Sequence, residues 1–296
     1  MSKEANDTGT EQVLPEKVRT VLNDTGFPFQ HWCSEIIANI QGYEAAMEVP
    51  FTFPKSNGPI LGTPGQIDIL ACAPSTERGW QVCLVIECKR ASEKIKHWVM
   101  LPNPRQSPKW PTLFFSNVDY QQGVTRSVVF PDLGYLRGSD FDYAIHGIEL
   151  NSKLAVNRES EEKMFKPMKQ VAHASRGLES QVPTIIEEIN AFRPENRKNT
   201  LYIPVIVTTA DLYLGSFSVG DVLNGDIEPS KLKLGEPKKW LTFEFPLPDY
   251  LSYNLQRDGG TITVGKRTLF VVNAKSLSEF CENIRHIEKV SEIPRE

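Results

Sequence analysis

The chain has 296 residues, 40% hydrophobic and 24% charged, which is enough to bury a sizeable core and excludes a disordered protein. A net charge of −4 and a pI near 5.9 exclude a protein that coats nucleic acid by charge alone, a mode that needs many uncompensated lysines and arginines. No run approaches the roughly 18 apolar residues of a membrane-spanning helix, and the polar start MSKEANDTGTEQ lacks a secretory signal's apolar stretch, so the expected location is cytoplasmic.

Residues 1–12 read as a frayed polar tail and residues 13–296 as one domain. PEKVRTVLNDTG predicts a short helix with proline in its first turn and a stop at Gly26, and PFQHWCSEIIANIQG a second helix ending at Gly42. In the second helix Phe29, Trp32, Cys33, Ile36, Ile37 and Ile40 recur at three- and four-residue spacing and predict one buried stripe, with Glu35 on its margin. The period then changes. VPFTF, GQIDILACA and WQVCLVIECK are short, apolar and β-branched, separated by the turn compositions SNGP and PSTERG, and predict three sequential antiparallel strands. Val82 to Ile86 is apolar throughout, as in a central strand covered on both faces.

Residues 92–157 are proline-rich and irregular, with candidate strands in TLFFS, RSVVF and YAIHGIEL, and read as a β-rich insertion into a simpler core. Helical patterns return at about 159–176 and 180–192. LYIPVIVTTADLYLGSF follows as a long buried strand that turns near Asp211 into another. WLTFEF, a hairpin TITVGKRTLFVV and an amphipathic helix from about Ser276 to Val290 close the chain. The fold class is therefore α/β, a mixed central sheet flanked by helices. The five cysteines, Cys33, Cys72, Cys83, Cys88 and Cys281, are odd in number and form no C-x-x-C pair, which predicts reduced, mostly buried thiols.

The chemistry concentrates in Gly65-Gln66-Ile67-Asp68, then eighteen residues, then Glu87-Cys88-Lys89. Strand alternation puts Glu87 and Lys89 on one face. A turn over Pro74–Gly79 that sets Ala73 against Trp80 places Asp68 opposite Val85 and on the same face. Two carboxylates and an ammonium then converge. Phosphodiester hydrolysis asks for such a set: a hard divalent cation held by oxygens, an activated water, and positive charge where oxygens become negative.

This constellation resembles the PD-(D/E)XK, or restriction-endonuclease-like, nuclease superfamily. Its pattern has an acid at the end of the second core strand and E/D-x-K on the third, preceded by a helix that often donates another acid. The matching positions are Asp68, Glu87 and Lys89, with Glu35 as the helix acid, and Ile67 replaces the motif's proline. The order helix, three-strand meander, helix, strand also agrees, with LYIPVIVTT as the fourth core strand. The resemblance covers about residues 28–91 and 160–218. It implies a restriction-endonuclease-like core and a nuclease dependent on Mg²⁺ or Mn²⁺. Asp68 and Glu87 would be metal ligands, Lys89 the water-positioning cation and Glu35 an outer ligand. The expected partner is nucleic acid, DNA before RNA, with a homodimer as a further candidate and no membrane. A catalytically inactive member that binds nucleic acid or protein is the alternative. Relatives carry glutamines near the site, which draws in Gln66 and Gln170 as contacts behind the metal ligands, although each reads on its own as a surface amide.

Between Lys89 and Lys109 lie Arg90, Lys94, Lys96 and Arg105 against the single acid Glu93, with Trp98 and Trp110 interleaved. Arg90, Lys94, Lys96, Arg105 and Lys109 are thus the candidate nucleic-acid contacts, with the tryptophans available to stack on bases. A smaller basic window holds Lys231, Lys233, Lys238 and Lys239. Gly260 to Lys266 resembles a P-loop, but Arg267 stands where magnesium needs Ser or Thr, and the flanks alternate like a strand. The five histidines lack metal-ligand or triad spacing, and Asp140 and Asp142 read as a solvated loop.

Overall fold

The computed structural model describes residues 16–52, 64–74, 80–91, 95–102, 113–119, 124–130, 143–151, 160–180, 199–223, 226–227, 229–248, 253–257 and 260–285. The elements run α1 (Glu16–Asp24), α2 (Phe27–Ala38), β1 (Glu44–Thr52), β2 (Pro64–Pro74), β3 (Trp80–Lys89), β4 (Ile95–Pro102), β5 (Leu113–Asp119), β6 (Val124–Phe130), β7 (Tyr143–Asn151) and α3 (Ser160–Ser180). After α3 come β8 (Asn199–Thr208), β9 (Asp211–Ser216), β10 (Val222–Leu223), β11 (Asp226–Ile227), β12 (Lys233–Leu234), β13 (Trp240–Pro246), β14 (Tyr253–Arg257), β15 (Gly260–Val264), β16 (Lys266–Asn273) and α4 (Leu277–Ile284).

Twelve strands form one mixed sheet. Its main path is β1-β2-β3-β8-β16-β13-β7-β4-β9-β12, with β5 and β6 hung beside β8. The first three strands are the antiparallel meander expected from their short apolar runs, and β8 lies parallel to β3 from Trp80↔Asn199 to Lys89↔Thr208. Apolar residues on both faces of β3 and β8 demand cover on both sides. On one face α3 packs Met164, Met168, Val171 and Leu178 against Cys83, Val85 and Ile206. On the other, α2 brings Phe29, Cys33 and Ile37, and α4 brings Leu277, Phe280 and Ile284, onto Leu84, Ile86 and Val205. The site region is therefore held between helices from both sides.

Several expectations change. Ala73 pairs with Val82 and Pro74 with Gln81, so the β2–β3 register is two residues away from the one that sets Ala73 against Trp80. In α2 the buried stripe turns toward Gln30 and Ser34, leaving Trp32 44% exposed. The stretch 92–157 carries β4 to β7, all of which join the twelve-stranded sheet. Trp98 sits in β4 between β7 and β9 and is fully buried, which removes it as a base-stacking surface. TITVGKRTLFVV is not a hairpin: β15 pairs with β14, while β16 enters the main sheet between β13 and β8. Cys72 and Cys83 are direct cross-strand partners and form a disulfide, so only Cys33, Cys88 and Cys281 are free thiols. The helical pattern at 180–192 and most of the chain after Ile284 lie outside the described residues.

Candidate functional site

The site lies where the β1–β2–β3 ladder bends. On β1, Ala46 and Val49 face the α3 side while Ala45 and Met47 face the other; on β2, Ile67 and Leu70 face α3 while Ile69 and Ala71 face away. Strict alternation would forbid both patterns, so each strand slips by one face between its flanking residues. The slip occurs on one rung. Met47 pairs with Ile69 and Val49 with Ile67, which sets Glu48 across from Asp68. Glu48 has φ of 55°, a left-handed conformation that costs a non-glycine residue about 1–3 kcal/mol.

On β3, Val85 faces α3 and Ile86 the opposite helices, so Glu87 and Lys89 project on the α3 side. Backbone pairing ends at Ile69↔Ile86, and one further step sets Asp68 beside Glu87. There the carboxylate takes over from the backbone: Cys88 donates its N–H to Asp68 Oδ2 at 2.6 Å. Two glutamines brace the bend from opposite layers. Gln30 of α2 donates Nε2 to the Asp68 carbonyl at 2.8 Å. Gln170 of α3 donates Nε2 to the Gln66 carbonyl at 3.0 Å and to Glu87 Oε2 at 2.9 Å.

Electrostatics follow from this crowding. Burial pushes the Glu87 carboxyl up to about 8; repulsion from Asp68 adds to it, and Lys89 and Lys166 oppose it. Asp68 is also raised, first by burial and then by Glu48, against the Cys88 N–H and Lys89. The Cys88 thiol is raised well above its ordinary value by its hydrogen bond with Cys33 and by burial, which makes it a poor nucleophile.

Of the residues expected from sequence, Asp68, Glu87 and Lys89 come together, and Gln170 touches the group directly. Gln66 contributes its carbonyl to Gln170, while its side chain donates to the Glu48 carbonyl at 3.3 Å. Glu35 is exposed and stands about 140° around α2 from Gln30, the residue that reaches the site. Arg90 is exposed and donates to the Asn23 carbonyl at 3.0 Å. Lys96 lies on β4, five strands from β3 along the sheet path. Lys94, Arg105 and Lys109 lie outside the described residues, as do Trp110, Asp140 and Asp142. In the second basic window, Lys239 is engaged by Glu279 at 2.7 Å.

Three residues near the carboxylates escape the sequence reading: Gln30, Glu48 and Lys166. Gln30 had a legible signal, a polar residue inside an apolar helical stripe. Glu48 had none, because a left-handed glutamate in a strand has no compositional mark.

Among the described residues, no three or more His, Cys, Asp or Glu side chains gather as a metal cluster. A magnesium-type ion is held by one or two carboxylates, with waters and substrate phosphates completing its shell. Asp68 and Glu87 fit that pattern: both are oxygen donors, partly buried, and their mutual repulsion is what a divalent cation relieves. Among the described residues no helix is long and apolar enough to cross a membrane. Comparisons with protein-family models, with curated proteins and with solved structures find no match.

Proposed function

We propose that the chain is a divalent-cation-dependent nuclease that hydrolyses phosphodiester bonds, with DNA as the first candidate substrate, on a restriction-endonuclease-like core. One observation carries this reading: Asp68 and Glu87 meet side by side on β2 and β3, with Lys89 two residues on and on the same face. The succession of α2, an antiparallel β1–β2–β3 meander, α3, and β8 parallel to β3 supports it further. The departure from the superfamily pattern is the helix acid, since α2 turns Gln30 and not Glu35 toward the strands.

Asp68 and Glu87 would hold Mg²⁺ or Mn²⁺. That ion supplies Lewis acidity at a phosphoryl oxygen and acidifies a bound water. The chain's own residues do the rest. The Cys88 N–H fixes Asp68, and Gln170 fixes Glu87, so both carboxylates are aimed before substrate arrives. Lys89 places positive charge where the attacked phosphate gains negative charge and can orient the attacking water.

The test is incubation with linear, circular and single-stranded DNA and with RNA, with Mg²⁺ or Mn²⁺ and with chelator. Cation-dependent cleavage is expected for the wild type and its loss for Asp68→Ala and for Lys89→Ala, each still unfolding cooperatively on heating. Wild-type cleavage matched by either variant removes the assignment; cation binding without cleavage of any substrate makes the chain a binding module.

A further inference from the structure

Beside the carboxylates a groove of about 400 Å³ opens between α3 and the start of β2. Lys166, Lys169, Gln170 and His173 of α3 line it from the helical side, and Gly65 and Gln66 of β2 with Phe51 of β1 from the strand side. Two of these residues belong to the site already described, because Gln170 reaches Glu87 and the Gln66 carbonyl. The groove therefore adjoins the candidate cleavage centre through Gln170.

Its charge is one-sided. None of the described lining residues is acidic. Lys166 and Lys169 are both exposed and stand one helical turn apart, on the same side of α3. Neither is held in an ion pair or hydrogen bond among the described residues. His173, one turn further on, keeps its imidazole neutral, its pKa lowered to about 4 by burial and by Lys169. Two exposed ammonium groups on long stems beside a carboxylate pair are arranged for an anion that extends away from the cation-holding centre.

We infer that this groove binds the sugar-phosphate backbone next to the scissile phosphate, with Lys166 and Lys169 each taking one flanking phosphate. The inference rests on the nuclease reading and names the substrate contact that the reading lacks. It also moves the nucleic-acid path from the Lys89–Lys109 window to α3. Lysine-to-phosphate contacts carry no sequence information, so the groove sets affinity and register on the strand and leaves base choice to other contacts.

The experiment uses the full chain and a fluorescein-labelled oligonucleotide, single-stranded and duplex, in Ca²⁺ across a salt series, with cleavage in Mg²⁺ assayed in parallel. For Lys166→Gln/Lys169→Gln the plot of log affinity against log salt should flatten by about 1.4 for a single strand or about 1.8 for a duplex, two phosphates at ~0.7 or ~0.9 each. Lys166→Arg/Lys169→Arg should restore the slope. An unchanged slope in the glutamine variant overturns the groove, and if that variant still cleaves, the nuclease reading survives without it. A flattened slope in a protein that never cleaves keeps the groove and removes catalysis. A wild type that binds neither oligonucleotide ends both.

Discussion

Replacing Glu87 by glutamine should stabilise the cation-free protein, by an amount that depends on pH in a defined way. The carboxyl is moved from its ordinary 4.5 to about 8, chiefly by burial and then by Asp68. Folding therefore favours its protonated form. Below the unfolded value of 4.5 the group is neutral in both states, and wild type and Glu87→Gln should be equally stable. As pH rises toward about 8, the wild type must either keep a proton that the unfolded chain has released or bury a charge. At ~1.4 kcal/mol per pH unit the full displacement sets a ceiling of about 5 kcal/mol. The realised gain should be about half of that, because an amide is also less well solvated in this pocket than in water. The replacement keeps an oxygen that accepts from Gln170, so no donor is orphaned. At roughly 2–3 °C per kcal/mol for a chain of this size, the melting temperature should rise by about 5–8 °C at pH 8.5 and hardly at all at pH 4.5. Thermal unfolding in chelator at several pH values measures this. Added Mg²⁺ should then narrow the gap by stabilising only the wild type. Equal melting temperatures across the pH range, or a variant that melts lower at pH 8.5, would refute the crowding of Asp68 and Glu87.

Two further predictions concern the frame around the site. Gly177 of α3 lies so close to β1 that an added Cβ would meet the Thr52 carbonyl oxygen at 2.8 Å and the Phe51 ring at 3.0 Å. Gly177→Ala should therefore destabilise by about 1–3 kcal/mol in urea unfolding, although alanine gains ~1 kcal/mol in an open helix; a stabilised variant would show that α3 can lift from β1 freely. Arg267 and Glu179 form a fully buried ion pair at 2.6 Å between β16 and α3, with Arg267 also donating to the Tyr202 carbonyl at 3.0 Å. Arg267→Met should cost about 1–3 kcal/mol by taking from buried Glu179 one of its two cationic partners, Arg176 at 3.0 Å being the other, while Arg267→Met/Glu179→Met should recover part of the loss; a double variant no better than the single would refute the account from lost charge pairing.

Which side of the sheet carries the site was legible because parity is robust. The register assumed from the turn composition is off by two residues, yet a two-residue slip returns every side chain to the same face, whereas a slip of one would have separated Asp68 from Glu87. The apolar run Val82–Ile86 likewise marks a strand covered on both faces, and both covering layers are present. Long-range placement was not legible. Lys96-His97-Trp98 looks the same in sequence whether it lies on a nucleic-acid surface or in a central strand, and only pairing of β4 with β7 and β9 buries Trp98. Nor does the alternation of β15 and β16 tell that they pair with different partners. The cysteines failed for the same reason: eleven residues apart, Cys72 and Cys83 meet only through the register of β2 on β3.

The bend at the Glu48–Asp68 rung explains why the carboxylates sit where they do. A regular ladder would pair the Cys88 N–H with a backbone oxygen and leave Asp68 as one more strand side chain. Here β2 departs from β3 after Ile69, and the freed N–H is satisfied by the Asp68 carboxylate. Departure also frees carbonyls on Gln66 and Asp68, and buried carbonyls without partners are costly. Gln170 and Gln30 meet that need from the two helical layers, one on each face. Gln170 then has a second amide hydrogen for Glu87. Repairing the broken ladder and aiming the two carboxylates are thus done by the same hydrogen bonds. Any change that straightens β2 would restore backbone pairing and release Asp68 in one step.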